Sequence, residues 1–280
     1  MSDEHVTIDD ILPRVEQLSG DDRTVSELPG GLTNTNYKVR VDGRGYVVRV
    51  SSKDAGLLAI DRENEYLNSK AAAEAGVGAG VVAYLPELGA LVLDFIEGET
   101  MSSEDLRRGD RLREVAEACG RLHACRPFRD DFNMFRVQER YIGIVQERGL
   151  RLPERYLEFA PQVAVIERAM AVRAELPVPC NNDPMFELGN VWSESNLSLA
   201  QLEELVAHYY GRPLVNKVAR ARLWGLMSKY GWTLWASIQD GVSSIDFDFW
   251  GWGMEKYERA VEEFDGPDFE RLCEEVRRDD

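Results

Sequence analysis

The chain has 280 residues, 44% of them hydrophobic and 30% charged, enough to bury one large core or two smaller ones. Its formal net charge of −17 argues against a nucleic-acid partner, since a polyanion needs a basic footprint, and suits a cationic small molecule. No run of about 18 apolar residues offers a membrane span, and the acidic start Met1-Ser2-Asp3-Glu4 lacks the basic-then-apolar pattern of a signal peptide, so a cytoplasmic globular protein is expected.

The first 95 or so residues alternate turn signals with short β-rich runs. Tyr37 to Val41 and Tyr46 to Ser51 read as two antiparallel strands joined by the turn Asp42-Gly43-Arg44-Gly45. The strong helix formers from Asp61 onward predict a helix that stops at Gly76. GVVAY and ALVLDFI supply a further hairpin, and Glu97-Gly98-Glu99 reads as a hinge. From there apolar residues recur at spacings of three and four, predicting helices over 105–125, 153–175, 198–210, 213–239 and 246–278, with Pro127 as a stop. The division expected is therefore a β-rich part, 1–97, followed by a mostly helical part, 98–280, in an α+β chain. The cysteines Cys119, Cys125, Cys180 and Cys273 form no CxxC pair and are expected as free thiols.

Three groups of residues carry candidate chemistry. Gly30 and Gly31 precede a strand, with Thr33, Asn34 and Asn36 close behind, a loop whose backbone N–H groups can approach phosphates and which is also an ordinary hairpin loop. Arg49 lies on the next strand and Glu65 on the following helix, where they form either a phosphate-directed pair or a plain surface pair. Trp232, Trp235 and Gln239 share one helical face, with Phe247, Phe249, Trp250 and Trp252 shortly after. Such rings make either core or a cage for an ammonium group through cation–π attraction.

The order of these features is the small-lobe plan of protein-kinase-like folds. With GGLTNTNYKV, IDRENEYLN, FIEGETM, GRLHAC, DPMFELGNVWSE and WTLWASIQDGVSSIDFDF, the chain resembles the choline/ethanolamine kinase and aminoglycoside phosphotransferase superfamily over most of its length. The resemblance implies a two-lobe, protein-kinase-like fold and an ATP- and Mg²⁺-dependent phosphotransferase acting on choline or ethanolamine. It implies that Gly30, Gly31, Thr33, Asn34 and Asn36 cover ATP, and that Arg49 pairs with Glu65, with Glu63 as the alternative register. It assigns Trp232, Trp235, Trp252 and Phe247 to an ammonium cage, with Gln239 on the same face and Glu194 supplying the charge.

One stretch departs from that pattern. Members carry H-x-D-x-x-x-x-N after a proline-bounded strand, then a hairpin ending in Ile-Asp-x-Glu-Tyr, whose acids and Asn deprotonate the alcohol and hold Mg²⁺. Here Pro177-Val178-Pro179-Cys180 runs directly into Asn181-Asn182-Asp183-Pro184, and about twenty residues by typical element sizes are wanting near 180–183. Either Asn181-Asn182-Asp183 is the turn before the next helix, or Asp183 is the catalytic-loop acid; in the second register Leu188 stands where a metal-binding Asn belongs. The expectation is a kinase-like chain that is inactive or impaired, with its Mg²⁺ site lost. Two other readings stand beside it: a pseudokinase that binds a choline-type ligand without turnover, and an aminoglycoside phosphotransferase relative.

Overall fold

The computed structural model describes residues 6–51, 61–175, 177–179 and 181–279. Leu176 and Cys180, and with Cys180 part of the expected gap, lie outside the described residues. The chain divides into two compact units, Met1–Glu99 with Cys125–Asp130, and Thr100–Ala124 with Asp131–Asp280. The return of Cys125–Asp130 to the first unit has no counterpart in a division at residue 97.

The first unit is built on a five-stranded antiparallel sheet in the order β1-β2-β3-β5-β4, with β1 Arg23–Leu28, β2 Asn34–Val41, β3 Arg44–Ser51, β4 Val81–Leu85 and β5 Ala90–Asp94. Along β2 and β3 the inward positions Val39, Val41, Tyr46, Val48 and Val50 alternate with exposed or half-buried residues, as a sheet with one covered face requires. That face is covered by Ile11, Leu12, Val15 and Leu18 from the short helix α1, Ile8–Ile11, and two 3₁₀ turns behind it. The helix α2, Arg62–Glu74, begins where Asp61 accepts hydrogen bonds from the backbone N–H groups of Glu63 and Asn64, and ends before Gly76, whose φ is 70°.

The second unit holds α3 Ser103–Leu106, α4 Arg111–His123, α5 Met134–Arg148, α6 Ala160–Ala171, α7 Pro184–Glu194, α8 Leu199–Tyr210, α9 Val215–Val242, α10 Phe249–Phe264 and α11 Phe269–Glu275. Helices expected over 105–125 and 246–278 are each split, at Gly109 with φ 57° and near Gly266. Helix α5 is not among the helices expected from spacing, although its buried Met134, Gln138, Tyr141 and Val145 recur at intervals of three and four and Asn133 caps it through Phe135 N–H and Arg136 N–H.

Helix α9 is the axis of this unit: 28 residues, about 42 Å long, with buried side chains on every face. Helices α5, α7 and α10 pack around it. At the α7–α9 crossing a Cβ on Gly189 would lie 2.2 Å from Ala221 O, and one on Gly225 would lie 2.7 Å from the Trp192 ring. Only glycine permits that approach, and it fixes which α7 side chains face α9.

Candidate functional site

In the first unit the loop 29–33 joins β1 to β2. Gly30, at φ 95°, has open space where a Cβ would project, so its backbone is accessible to a ligand. Gly31 is the opposite case: a Cβ there would lie 2.2 Å from Asn34 O and 2.8 Å from Asn36 Nδ2. Asn34 Nδ2 donates to Thr33 Oγ1 at 3.3 Å, while the buried Oδ1 atoms of Asn34 and Asn36 have no hydrogen-bond donor among the described residues. The five residues named from sequence therefore form one continuous loop and strand start.

Arg49 on β3 and Glu65 on α2 meet, Nη1 to Oε1 at 2.5 Å. Arg62 occupies the other oxygen, at 2.6 Å, from the i−3 position on the same helix turn. Burial pushes the Glu65 carboxyl up, but the hydrogen bonds from Arg62 and Arg49 outweigh it and hold the group below the usual carboxylate range. Glu63 instead pairs with Arg129, so the partner of Arg49 is Glu65. Arg62 lies within IDRENEYLN but is given no role there, and its spacing of three from Glu65 is the signal that marks it in the sequence.

The junction in the second unit closes tightly. Asn181 N–H donates to Val178 O at 2.7 Å, Val178 N–H donates to Asn182 O at 3.0 Å, and Asn181 sits at φ 56°, a conformation Asn tolerates. Asp183 is the N-cap of α7: its Oδ1 accepts from Met185 N–H at 2.9 Å, and its Oδ2 lies 2.5 Å from Arg220 of α9. Both side chains of that pair are buried, at 7% and 6% exposure. Asp183 thus occupies the turn before α7, with one oxygen engaged in starting the helix and the other in neutralising Arg220. Asn190, on the next turns of α7, accepts from Ser228 and from Trp232 Nε1 at 3.2 Å. Among the described residues no group of three or more His, Cys, Asp or Glu could hold a metal ion. At the junction Asp183 is the one described acid, and its two oxygens are engaged by Met185 N–H and by Arg220.

The aromatic residues of α9 and α10 do gather. Trp235 lies edge-on to Trp252, centroids 5.5 Å apart, and to Phe249 at 5.7 Å; Phe247 leans on Phe249 at 4.9 Å. Gly253 brings α10 against α9, since a Cβ there would lie 2.5 Å from the Ala236 Cβ. Gln239 is buried on the same helix, and Trp232 is turned toward Asn190. Glu194, the last residue of α7, does not stand free: Lys256 Nζ donates to its two oxygens at 2.7 and 2.6 Å and lies 4.0 Å from the Trp252 ring centroid. A second polar cluster, unnamed from sequence, joins His123 Nδ1 to the Tyr209 hydroxyl at 2.7 Å and His123 Nε2 to Glu187 at 3.3 Å, and beside it burial and the Glu187 charge push the Cys119 thiol up to about 11.

A family model described as "Phosphotransferase enzyme family" matches residues 24–192, more than half of the chain. The chain belongs to that phosphotransferase family. Similar solved structures include a choline/ethanolamine kinase family protein from Mesorhizobium loti, 25% identical, with 95% of this chain and 96% of that one covered at a TM-score of 0.82. The choline kinase LicA from Streptococcus pneumoniae is 21% identical, with 90% and 96% covered and a TM-score of 0.73. The gentamicin-bound APH(2")-IIa shares the fold at 13% identity, 84% and 91% coverage and a TM-score of 0.55. No curated protein matches the chain significantly. The small antiparallel sheet and the helical remainder are the kinase-like fold of this phosphotransferase family. No described helix is long and apolar enough to cross a membrane.

Proposed function

We propose that this chain is a phosphotransferase of the choline/ethanolamine-kinase type in which the phosphoryl-transfer machinery is lost or severely impaired. The observation that carries the reading is the state of Asp183, an acid committed to a helix cap and a buried arginine at the place where family members keep their catalytic loop. Phosphoryl transfer depends on positioning and charge neutralisation, so a site without a free acid and without metal ligands loses several powers of ten in rate. The nucleotide half is better preserved. The open backbone at Gly30 and the Arg49–Glu65–Arg62 cluster suit phosphate oxygens, and ATP affinity should respond little to Mg²⁺.

The ring cluster of Trp235, Phe247, Phe249 and Trp252, with Glu194 near Trp252, favours a small ammonium-bearing alcohol, choline or ethanolamine, over a polycationic aminoglycoside, which would call for several carboxylates. It also supports retention of ligand binding without turnover. The substrate assignment is tested by inserting a His-Asn-Asp loop and an Ile-Asp-x-Glu-Tyr hairpin between Cys180 and Asn181. ADP release is then followed with choline, ethanolamine and an aminoglycoside. Turnover of the amino alcohols is expected; turnover of the aminoglycoside alone would transfer the chain to the other branch of the fold.

A further inference from the structure

The aromatic cluster already contains an ammonium. Lys256 stands one helical turn after Trp252 on α10, so its Nζ reaches back over the indole at 4.0 Å, inside the distance at which cation–π attraction operates. The same Nζ donates to both oxygens of Glu194, and the lysine side chain is only 7% exposed. Trp235 also meets Trp252 edge-on, and the indole is partly buried. Glu194 also ends α7, where the helix carbonyls add negative potential; Arg259 of α10 answers part of it by donating to Ser193 O at 2.9 Å.

We infer that Lys256 is a built-in ammonium that closes the Glu194–Trp252 site to an external one and so sets the affinity of this cluster for ammonium ligands. The inference rests on the ammonium reading of the cluster proposed above. Glu194 accepts Lys256 with both oxygens, and a trimethylammonium group placed against the same ring and the same carboxylate would overlap Nζ. An external cation therefore binds only after Lys256 leaves, and it must replace a part-buried, charge-assisted pair as well as a ring contact. A purely structural lysine makes a different prediction, since its removal would cost stability and add no binding.

The test is calorimetric titration of tetramethylammonium chloride and of choline into the full-length wild type, Lys256→Met and Lys256→Met/Glu194→Gln. Lys256→Met is expected to bind both probes at least about tenfold more tightly than wild type, because the carboxylate it frees needs a counter-ion, and the double variant should lose that gain. Lys256→Gln serves in its place should Lys256→Met fail to fold. In the wild type, ¹⁵N-lysine NMR follows the Lys256 Nζ signal, identified by its loss in Lys256→Arg: any choline that binds must move it in step with occupancy. Equal affinities for wild type and Lys256→Met, or saturation by choline with an unmoved Lys256 signal, overturns the inference. If the repaired chain phosphorylates choline while Lys256→Met gains nothing, only this inference falls. If the repaired chain uses only the aminoglycoside, the ammonium reading falls with it.

Discussion

Asp183→Asn removes one charge and almost nothing else. Asn and Asp serve equally well as N-caps, so the hydrogen bond from Met185 N–H should survive and α7 should still start at Pro184. What disappears is the counter-charge of Arg220. That guanidinium is 6% exposed and is held by Met170 O at 3.1 Å and Arg173 O at 3.0 Å, so it cannot swing out to water. Breaking a buried ion pair from one side costs about 3–5 kcal/mol. Arg220 also borders a cavity of about 520 Å³ shared with Arg173, Tyr210 and Lys217, which can admit water and sets the expectation near the lower end, about 3 kcal/mol. Urea unfolding followed by circular dichroism reads the loss, and Asp183→Asn/Arg220→Met should recover part of it because the two residues are coupled. ATP affinity, measured by calorimetry, should not change. Stability within about 0.5 kcal/mol of wild type, a typical bound for an inconsequential surface change, would refute the structural role given to Asp183.

Acid should loosen the first unit through Glu65. Its carboxyl titrates below its unfolded value, so its contribution is present above about pH 4.3 and is lost as pH falls below that; Glu65→Gln should flatten the acid side of a melting-temperature profile, and identical profiles would contradict the assignment. Gly189→Ala drives a Cβ into the backbone of α9 and should lower stability by about 1–3 kcal/mol or more, read from thermal melts, whereas a neutral result would mean that the helices do not cross there. Calorimetric ATP affinity measured with and without Mg²⁺ should differ by less than about threefold, a small free-energy difference; a strong Mg²⁺ dependence would show that carboxylates elsewhere rebuild a metal site.

The β-rich part was legible because its signals are local: alternation in β2 and β3, a Gly-containing turn between them, and a cap at each end of α2. Arg49 and Glu65 could be paired from the order of elements, although Arg62 could not be weighed without seeing that both oxygens of Glu65 face cations. The aromatic residues of α9 and α10 were legible as a group for the same reason of spacing. Partners contributed by distant helices were not. Arg220 reaches Asp183 and Lys256 reaches Glu194 across tertiary contacts that no periodicity encodes, and those two contacts change the chemistry of the site more than any motif does. Helix α5 was legible in principle, since Met134, Gln138, Tyr141 and Val145 recur at spacings of three and four behind the cap Asn133.

We propose that the kinase-like fold persists here without its phosphoryl-transfer chemistry. ADP release by the unmodified chain, measured beside the chain repaired between Cys180 and Asn181 with ATP, Mg²⁺ and choline at matched concentrations, tests it most directly. The rate of the unmodified chain is expected to be lower by several powers of ten, on the order of a thousandfold or more. Comparable rates in the two chains would contradict it and would mean that an acid outside the family pattern performs the reaction.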